Sequence, residues 1–463
     1  MAKTETERAL VVGLGLTGLS CVRYLVGRGY DVTAVDTRAQ PPKLGEMKRE
    51  FPRVPVHTGG LPATLFDDPG LLVVSPGVSV AEPEIARAVG RGAQPIGDIE
   101  LFARAVQGST NVARGQEPGA TEAQAPVLAI TGANGKSTVT ALVGAMCQQG
   151  GLHTAVGGNI GVPALSLLTS PEPDVYVLEL SSFQLETTHS LNARAATVLN
   201  ITPDHMDRYR DIQEYAEAKA RVFHGNGTMV LNADDPLVMR MARSGRRTVC
   251  FGLSAPAEAQ DYGLYEVDGE TWLVKGKQPL MPAREVPMAG RHNLANALAA
   301  MALAEAAGVP LEACCAAVRE FKGLKHRTEL VASRDNIRWY DDSKGTNVGA
   351  TVAALNGMTS PVILIAGGDG KGQDFSELRP ACAQHARAVV LIGRDAPLIE
   401  AAIGTAVTLR RARDMHDAVR IAKELARPGD VVLLSPACAS FDMFRNYEHR
   451  AEVFCQAVRE ALA

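Results

Sequence analysis

Paired cysteines are missing from this 463-residue chain: none of its eight cysteines stands in a Cys-x-x-Cys spacing, and only Cys314 and Cys315 are adjacent. That scatter excludes a zinc framework and a disulfide scaffold and fits a reducing cytosol. A basic excess is missing too. With 47 Lys and Arg against 51 Asp and Glu, the formal charge of −4 argues against generic nucleic-acid binding, so an anionic ligand must be met by a local cluster of cations. No apolar run approaches membrane length, and the segment from Met1 to Arg8 is polar and acidic, so the sequence reads as a soluble, unprocessed, cytoplasmic chain without a membrane partner. A guanine-reading Asn-Lys-x-Asp motif is also absent, which speaks against a GTP-driven switch.

What is present starts with Thr131-Gly132-Ala133-Asn134-Gly135-Lys136-Ser137-Thr138, between the apolar run Val127 to Ile130 and a segment, Val139 to Val143, that continues as a helix. Strand, glycine turn and helix in this register hold a triphosphate. Glycines admit backbone N–H groups to the phosphate oxygens, the helix start adds positive potential, Lys136 offsets charge, and the Ser137 hydroxyl can ligand Mg²⁺. Ile130 stands where the longer P-loop carries its first glycine, so this is the shorter Gly-x-x-Gly-Lys-Ser-Thr form. The alternative, a glycine turn with an exposed lysine, does not explain why all the parts occur in order.

The length suggests about three domains, since a single core rarely serves more than roughly 250 residues. Near the start, Ala9 to Val12 leads into Gly13-Leu14-Gly15-Leu16-Thr17-Gly18, a helix to about Arg28, and a strand from Val32 to Val35 capped by Asp36. On pattern this is a Rossmann-type βαβ unit with a ribose-binding acid, or else a tight turn whose glycines serve helix–sheet packing. Leu71 to Val74 delivers Ser75-Pro76-Gly77 to the same edge. From Gln107 to Ala125 the chain is small and polar, with Val112 its only aliphatic residue larger than alanine, and reads as a flexible linker.

Beyond the linker, Val175 to Leu178 ends at Glu179, where a Mg²⁺ ligand would sit downstream of a phosphate loop. Ala196 to Leu199 opens into a loop where His205 lies between Asp204 and Asp207 and meets either a metal or phosphate, or only solvent. Asn293 and Asn296, three apart on one helical face, either read a purine edge or cap the helix. The final third repeats the pattern: strands ending near Tyr340, Ala366, Ile392 and Leu434 each open into a polar or glycine-rich loop, as a doubly wound domain supplying ligand contacts would. The expected organisation is α/β in three domains: a Rossmann-like domain over 1–106, the linker 107–125, a central P-loop ATPase-type domain with a mixed or parallel sheet over 126–323, and a Rossmann-like domain over 324–463.

Taken together, the Gly-x-x-Gly-Lys-Ser-Thr loop, Asn159 in Gly157 to Gly161, Leu178 to Glu186, Asp204 to Tyr209, His326-Arg327, Asp342 to Lys344 with Thr346-Asn347, Gly367 to Lys371, and Ser435 to Ser440 resemble the Mur ligases of peptidoglycan synthesis, and within them the D-glutamate-adding branch. The resemblance spans nearly the whole chain. It implies an ATP- and Mg²⁺-dependent amide ligase, probing two substrates, UDP-N-acetylmuramoyl-L-alanine and D-glutamate, through an acyl phosphate, and working as a monomer.

The resemblance also implies roles for individual residues. Gly132, Ala133, Asn134, Gly135, Lys136, Ser137 and Thr138 would cradle ATP, with Asn293, Asn296, Arg327 and Asp342 contacting the nucleotide. Ser137 and Glu179 would hold one Mg²⁺, and His205 a second, supported by Lys219 as a carbamate. Gly15, Leu16, Thr17, Asp36, Thr37, Arg38, Ser75 and Gly77, with Asn159, Ser181, Gln184 and His205, would bind the UDP substrate, so that no nicotinamide is involved. His326, Thr346, Lys371, Ser440, Phe441 and Tyr447 would bind glutamate, and Lys344 would lie near the reacting groups. Two features depart from the family pattern: Ala133 stands where relatives often carry threonine or serine, and the 107–125 segment is longer than the usual connection. A folylpolyglutamate synthase-like ligase shares the ATP domain but lacks the N-terminal βαβ unit.

Overall fold

The computed structural model describes residues 6–108, 125–169, 171–206 and 208–463. Most of the expected linker, 109–124, and Asp207 of the histidine loop therefore lie outside the described residues. The architecture is α/β, with three sheets. In chain order the first contains β1 (Arg8–Val12), β2 (Asp31–Asp36), β3 (Val56–Thr58) and β4 (Leu71–Val74), arranged 3-2-1-4 and wholly parallel. Apolar runs such as Leu10 to Val12 are buried on both faces, which is what parallel strands between helices demand. The order reverses between β1 and β4, so the Gly13 turn and Ser75 flank a crevice at the carboxyl edge.

The second sheet has nine strands: β5 (Val127–Thr131), β6 (Thr154–Gly158), β7 (Val175–Glu179), β8 (Ala195–Val198), β9 (Thr228–Asn232), β10 (Thr248–Phe251), β11 (Tyr262–Val267), β12 (Glu270–Lys275) and β13 (Gln278–Pro282). Across the sheet they run 13-12-11-10-9-8-5-7-6. β5 is central, between β7 and β8, with Ile130 beside Glu179 and Thr131 beside Val198. The pairing therefore sets Glu179 next to the phosphate loop. The last three strands form an antiparallel extension not anticipated from the sequence.

The third sheet, β14 (Glu329–Arg334), β15 (Ile337–Asp341), β16 (Val362–Gly367), β17 (Ala386–Ile392), β18 (Thr408–Arg411) and β19 (Val431–Leu434), runs 14-15-19-16-17-18 with only β14 antiparallel. β19 between β15 and β16 brings three of the loop-bearing strand ends side by side. One hydrophobic core is continuous across the first two sheets, from Val11 and Leu25 to Leu178 and Val198, with Phe102 meeting Tyr176 edge-on at 5.1 Å. The third sheet has separate cores on its two faces.

Candidate active site

β5 delivers Thr131 into a turn in which Gly132 (φ 153°) and Gly135 (φ 83°) adopt conformations that a side chain opposes. A Cβ at Gly135 would also come within 2.6 Å of Asn296 Oδ1, so glycine is required there by both backbone and neighbour. Gly135 precedes the helix Lys136–Gln149, whose first N–H groups face the cleft. Lys136 Nζ donates to the carbonyls of Gly132 and Ala133, each at 2.9 Å. Arg327 Nη2, arriving from the third unit, donates to Ser137 Oγ at 3.0 Å. Asn134 is locked to Asn200: its N–H donates to Asn200 Oδ1 at 2.8 Å and its carbonyl accepts from Asn200 Nδ2 at 3.1 Å.

Two cavities share Asn134, Gly135, Arg327 and Lys344 and so form one cleft around this loop. The first, about 700 Å³, is lined by Thr138, Asn293, Asn296 and Asp342. Asn296 Nδ2 donates to Asn293 Oδ1 at 3.0 Å, and Asn293 Nδ2 to the Ala289 carbonyl at 2.6 Å, which holds the amide pair at the cavity wall. The Asp342 carboxylate accepts from Ser435 Oγ at 2.7 Å and from the Thr328 N–H at 3.2 Å. Its burial pushes the carboxyl up to about 7 in spite of those bonds.

The second cavity, about 910 Å³, is lined by Ala133, Lys136, Ser137, Asn159, Glu179, His205, Lys344, Thr346, Lys371 and Tyr447. Glu179 is buried; its Oε1 accepts from Asn159 Nδ2 at 2.7 Å, while Oε2 has no hydrogen-bond partner among the described residues. An unpaired carboxylate oxygen and a serine hydroxyl lining one cavity with phosphate-binding groups are oxygen donors of the kind a hard divalent cation takes. His205 is held at φ 59°, with its ring 4.7 Å from that of Phe183. Lys219 lies beneath the loop at 1% exposure, donating to the Gly132 carbonyl at 2.9 Å and standing 4.5 Å from the Tyr215 ring centroid. Burial, reinforced by the charge of Lys136, pushes its ammonium well below the ordinary lysine range. Lys344 is likewise lowered, by burial and by Arg327, and its Nζ stands 3.8 Å from the Tyr447 ring centroid.

Elsewhere the expected residues have other partners in view. In the first unit Ser75 Oγ donates to the Gly13 carbonyl at 3.0 Å, and Gly15 has open space where a Cβ would point. Leu16, Thr37, Arg38 and Gly77 are exposed around the crevice and Thr17 is half-buried. Asp36 turns inward instead: at 1% exposure its oxygens accept from the Leu14 and Arg38 N–H groups and from the Arg38 guanidinium. Burial works against its ionisation, but those bonds prevail and hold the carboxyl below its usual range. Asp36, read from the pattern as a ribose-binding acid, thus also holds the glycine turn. Ser181 caps the helix Ser182–Glu186 in a reciprocal box with Gln184, and Gln184 Nε2 donates to Asp98 Oδ2 at 3.0 Å, so both side chains are engaged inside the protein. Ser440 is buried and Phe441 is 71% exposed, and neither lines the two cavities. His326 Nδ1 pairs with Asp341 Oδ2 at 2.7 Å where the chain enters the third unit, and His326 (φ 63°) and Thr328 (φ 47°) are both left-handed there.

Asn347, read from the sequence only as part of the Thr346-Asn347 motif and given no role there, reaches Asp204 Oδ2 through Nδ2 at 3.1 Å across the cleft. Two further residues escaped sequence reasoning. Asp98 and Arg450 gave no signal, because each lies in a helix of mixed polarity and is buried only by tertiary packing.

Comparison with known proteins adds an independent line. Residues 7–97 match the family model described as Mur ligase MurD-like, N-terminal domain; 130–304 match the Mur ligase middle domain; 326–438 match the Mur ligase glutamate ligase domain. Proteins named UDP-N-acetylmuramoylalanine--D-glutamate ligase from Methylobacillus flagellatus and Thiobacillus denitrificans are 52% and 53% identical, covering 99% of this chain and 98% and 97% of their own. Among solved structures, a UDP-N-acetylmuramate-alanine ligase from Thermotoga maritima is similar in fold, with a TM-score of 0.56 at 19% identity over 98% of this chain and 100% of that one. A pseudomurein peptide ligase type C from Methanothermus fervidus gives 0.57 at 17% identity, covering 97% and 100%. With family models matching most of its length and relatives identical at half its positions, the chain belongs to the Mur ligase family.

Proposed function

We propose that this chain is an ADP-forming ligase that joins D-glutamate to UDP-N-acetylmuramoyl-L-alanine at the expense of ATP, acting as a cytoplasmic monomer in peptidoglycan precursor synthesis. It is read as three domains, 1–106, 126–323 and 324–463, joined in part by the 107–125 linker. The observation that carries the reading is a single cavity walled by a phosphate loop, an orphaned Glu179 oxygen, and Lys344, Thr346, Lys371 and Tyr447 from the third unit. A carboxylate is a poor electrophile until one of its oxygens becomes a good leaving group. Transfer of the terminal phosphoryl group to the alanyl carboxylate supplies that group, and the glutamate amine then displaces phosphate from the carbonyl.

The chain's own groups meet the charges of those steps. Lys136 and the N–H groups of the glycine turn offset the β- and γ-phosphates, and Arg327 lies close enough to follow the transferred group. Asn293 and Asn296 present amides to the nucleotide, with Asp342 and Thr138 completing that wall. Ser137, Glu179, His205 and Lys219 in its carbamate form would hold Mg²⁺, which when bound neutralises phosphate oxygens. Thr37, Arg38 and the Gly13–Ser75 crevice take the uridine diphosphate end, while Lys371, Thr346 and Tyr447, with His326, Ser440 and Phe441 nearby, take glutamate. Lys344 faces the reacting centre.

The test is product formation by the purified chain with ATP, Mg²⁺, UDP-N-acetylmuramoyl-L-alanine and D-glutamate. ADP release that needs both acceptor and amino acid, with a muramyl product heavier by one glutamyl residue, is expected. L-glutamate in place of D-glutamate should give no product. ADP release that ignores the muramyl substrate, or turnover with a folate in its place, would refute the reading.

A further inference from the structure

The wall proposed for glutamate draws on the loops after β15 and β16 and on the start of the helix Tyr447–Leu462, with the loop after β19 nearby. One buried side chain joins the β15 loop, the β19 loop and that helix. Arg450, in the first turn of that helix and 0% exposed, donates from Nε to Ser343 Oγ at 2.9 Å, from Nη2 to the Ser343 carbonyl at 2.8 Å, and from Nη1 to the Cys438 carbonyl at 3.0 Å. Ser343 passes the restraint on, its Oγ donating to the Tyr447 carbonyl at 2.8 Å and its N–H to Asp341 Oδ1 at 2.9 Å. The next residue is Lys344, whose ammonium packs on the Tyr447 ring. Only a planar fork with several fixed donors reaches these acceptors at once.

Among the described residues its hydrogen bonds go to two carbonyls and a hydroxyl, and it forms no ion pair. Burial lowers it to about 10, against the favourable charges of nearby Asp442, Asp341 and Asp342, so it stays cationic at neutral pH. Its contribution is directional: three donations from one rigid plane fix Ser343 and the Cys438 carbonyl relative to the helix start.

We propose that Arg450 is a positioning residue for the incoming amino acid, holding the loop after β15, the loop after β19 and the helix start in register. This rests on the reading of that wall as the glutamate site.

The experiment measures initial rates of the full chain against D-glutamate, with ATP and the muramyl substrate saturating, for wild type, Arg450→Met and Ser343→Ala. For Arg450→Met the KM for D-glutamate should rise about tenfold or more while the KM for ATP moves less than about twofold. Guanidinium chloride, far below denaturing concentrations, should restore part of the loss. A thermal midpoint and kcat that fall together, with the glutamate KM unmoved and no rescue, would mean a merely structural clamp and overturn the inference. If Arg450→Met does not fold, Ser343→Ala, which keeps the cation but cuts its link to Tyr447, decides: a raised glutamate KM supports the inference, and an unmoved one overturns it. Wild type inert toward D-glutamate would bring down the functional reading and this inference together.

Discussion

Lys219 shows how far a residue's meaning depends on packing. In the sequence it is a lysine on a charged helical segment, for which solvated surface is the default; in the fold the helix Ile212–Ala220 lies under β5 and turns it inward. Desolvation, together with repulsion from Lys136, favours the uncharged amine, and only that form can add CO₂ to become an anion. On the proposed reading Lys219→Ala loses nearly all turnover, about a hundredfold or more, and short carboxylates such as formate or acetate restore part of it by occupying the vacated space. Activity close to wild type without added acid would rule the carbamate out. The phosphate-loop residues were legible because their types and spacing carry the chemistry directly. Lys219 became readable only through resemblance, and Asp36, legible as an acid after a strand, gave no sign of its bonds to Arg38 and Leu14, which are a matter of geometry.

At the scale of elements, the joint between the first two units is made by the helix Asp98–Val106 against the segment 182–190. Glu100 accepts from the N–H groups of His189 and Ser190, each at 2.8 Å, and Gly97 donates to the Thr187 carbonyl at 3.1 Å. Asp98 is the weak member of this joint. Among the described residues its Oδ1 has no hydrogen-bond partner, and burial raises its carboxyl to about 6, against the bond from Gln184. Below about pH 4 it is protonated folded or unfolded; between about 4 and 6 the folded form keeps a proton the unfolded chain has lost, so stability falls as pH rises through this window and is flat above it. The cost reached is on the order of 3 kcal/mol. Asp98→Asn lacks this titration. Its thermal midpoint relative to wild type should therefore climb by several degrees from pH 4 to pH 7, and a difference independent of pH would contradict the assignment. Most elements were legible: apolar runs ending in glycine or acidic loops became the central parallel strands. The extension β11 to β13 was not, since its strands alternate weakly, although the Asp268-Gly269 pair, both left-handed, is a hairpin signal.

At the scale of the whole molecule, the third unit meets the second around the phosphate loop. Arg327 reaches Ser137, Asn347 reaches Asp204 and Asn134, and Gly290 and Gly357 pass so close that a Cβ on Gly357 would stand 3.0 Å from the Gly290 Cα, with His292 beside them. That scale was the least legible, because sequence reports which strand ends carry loops but not which loops of different sheets meet. A cleft lined from both units suits closure on the proposed substrates, with water excluded from an activated acyl group. On the proposed reading the alanyl carboxylate is itself phosphorylated there before the amine attacks. Muramyl substrate labelled with ¹⁸O in that carboxylate, turned over with ATP and D-glutamate, tests this most directly. Phosphate carrying one labelled oxygen for each ADP formed is predicted; product formed with unlabelled phosphate would contradict it.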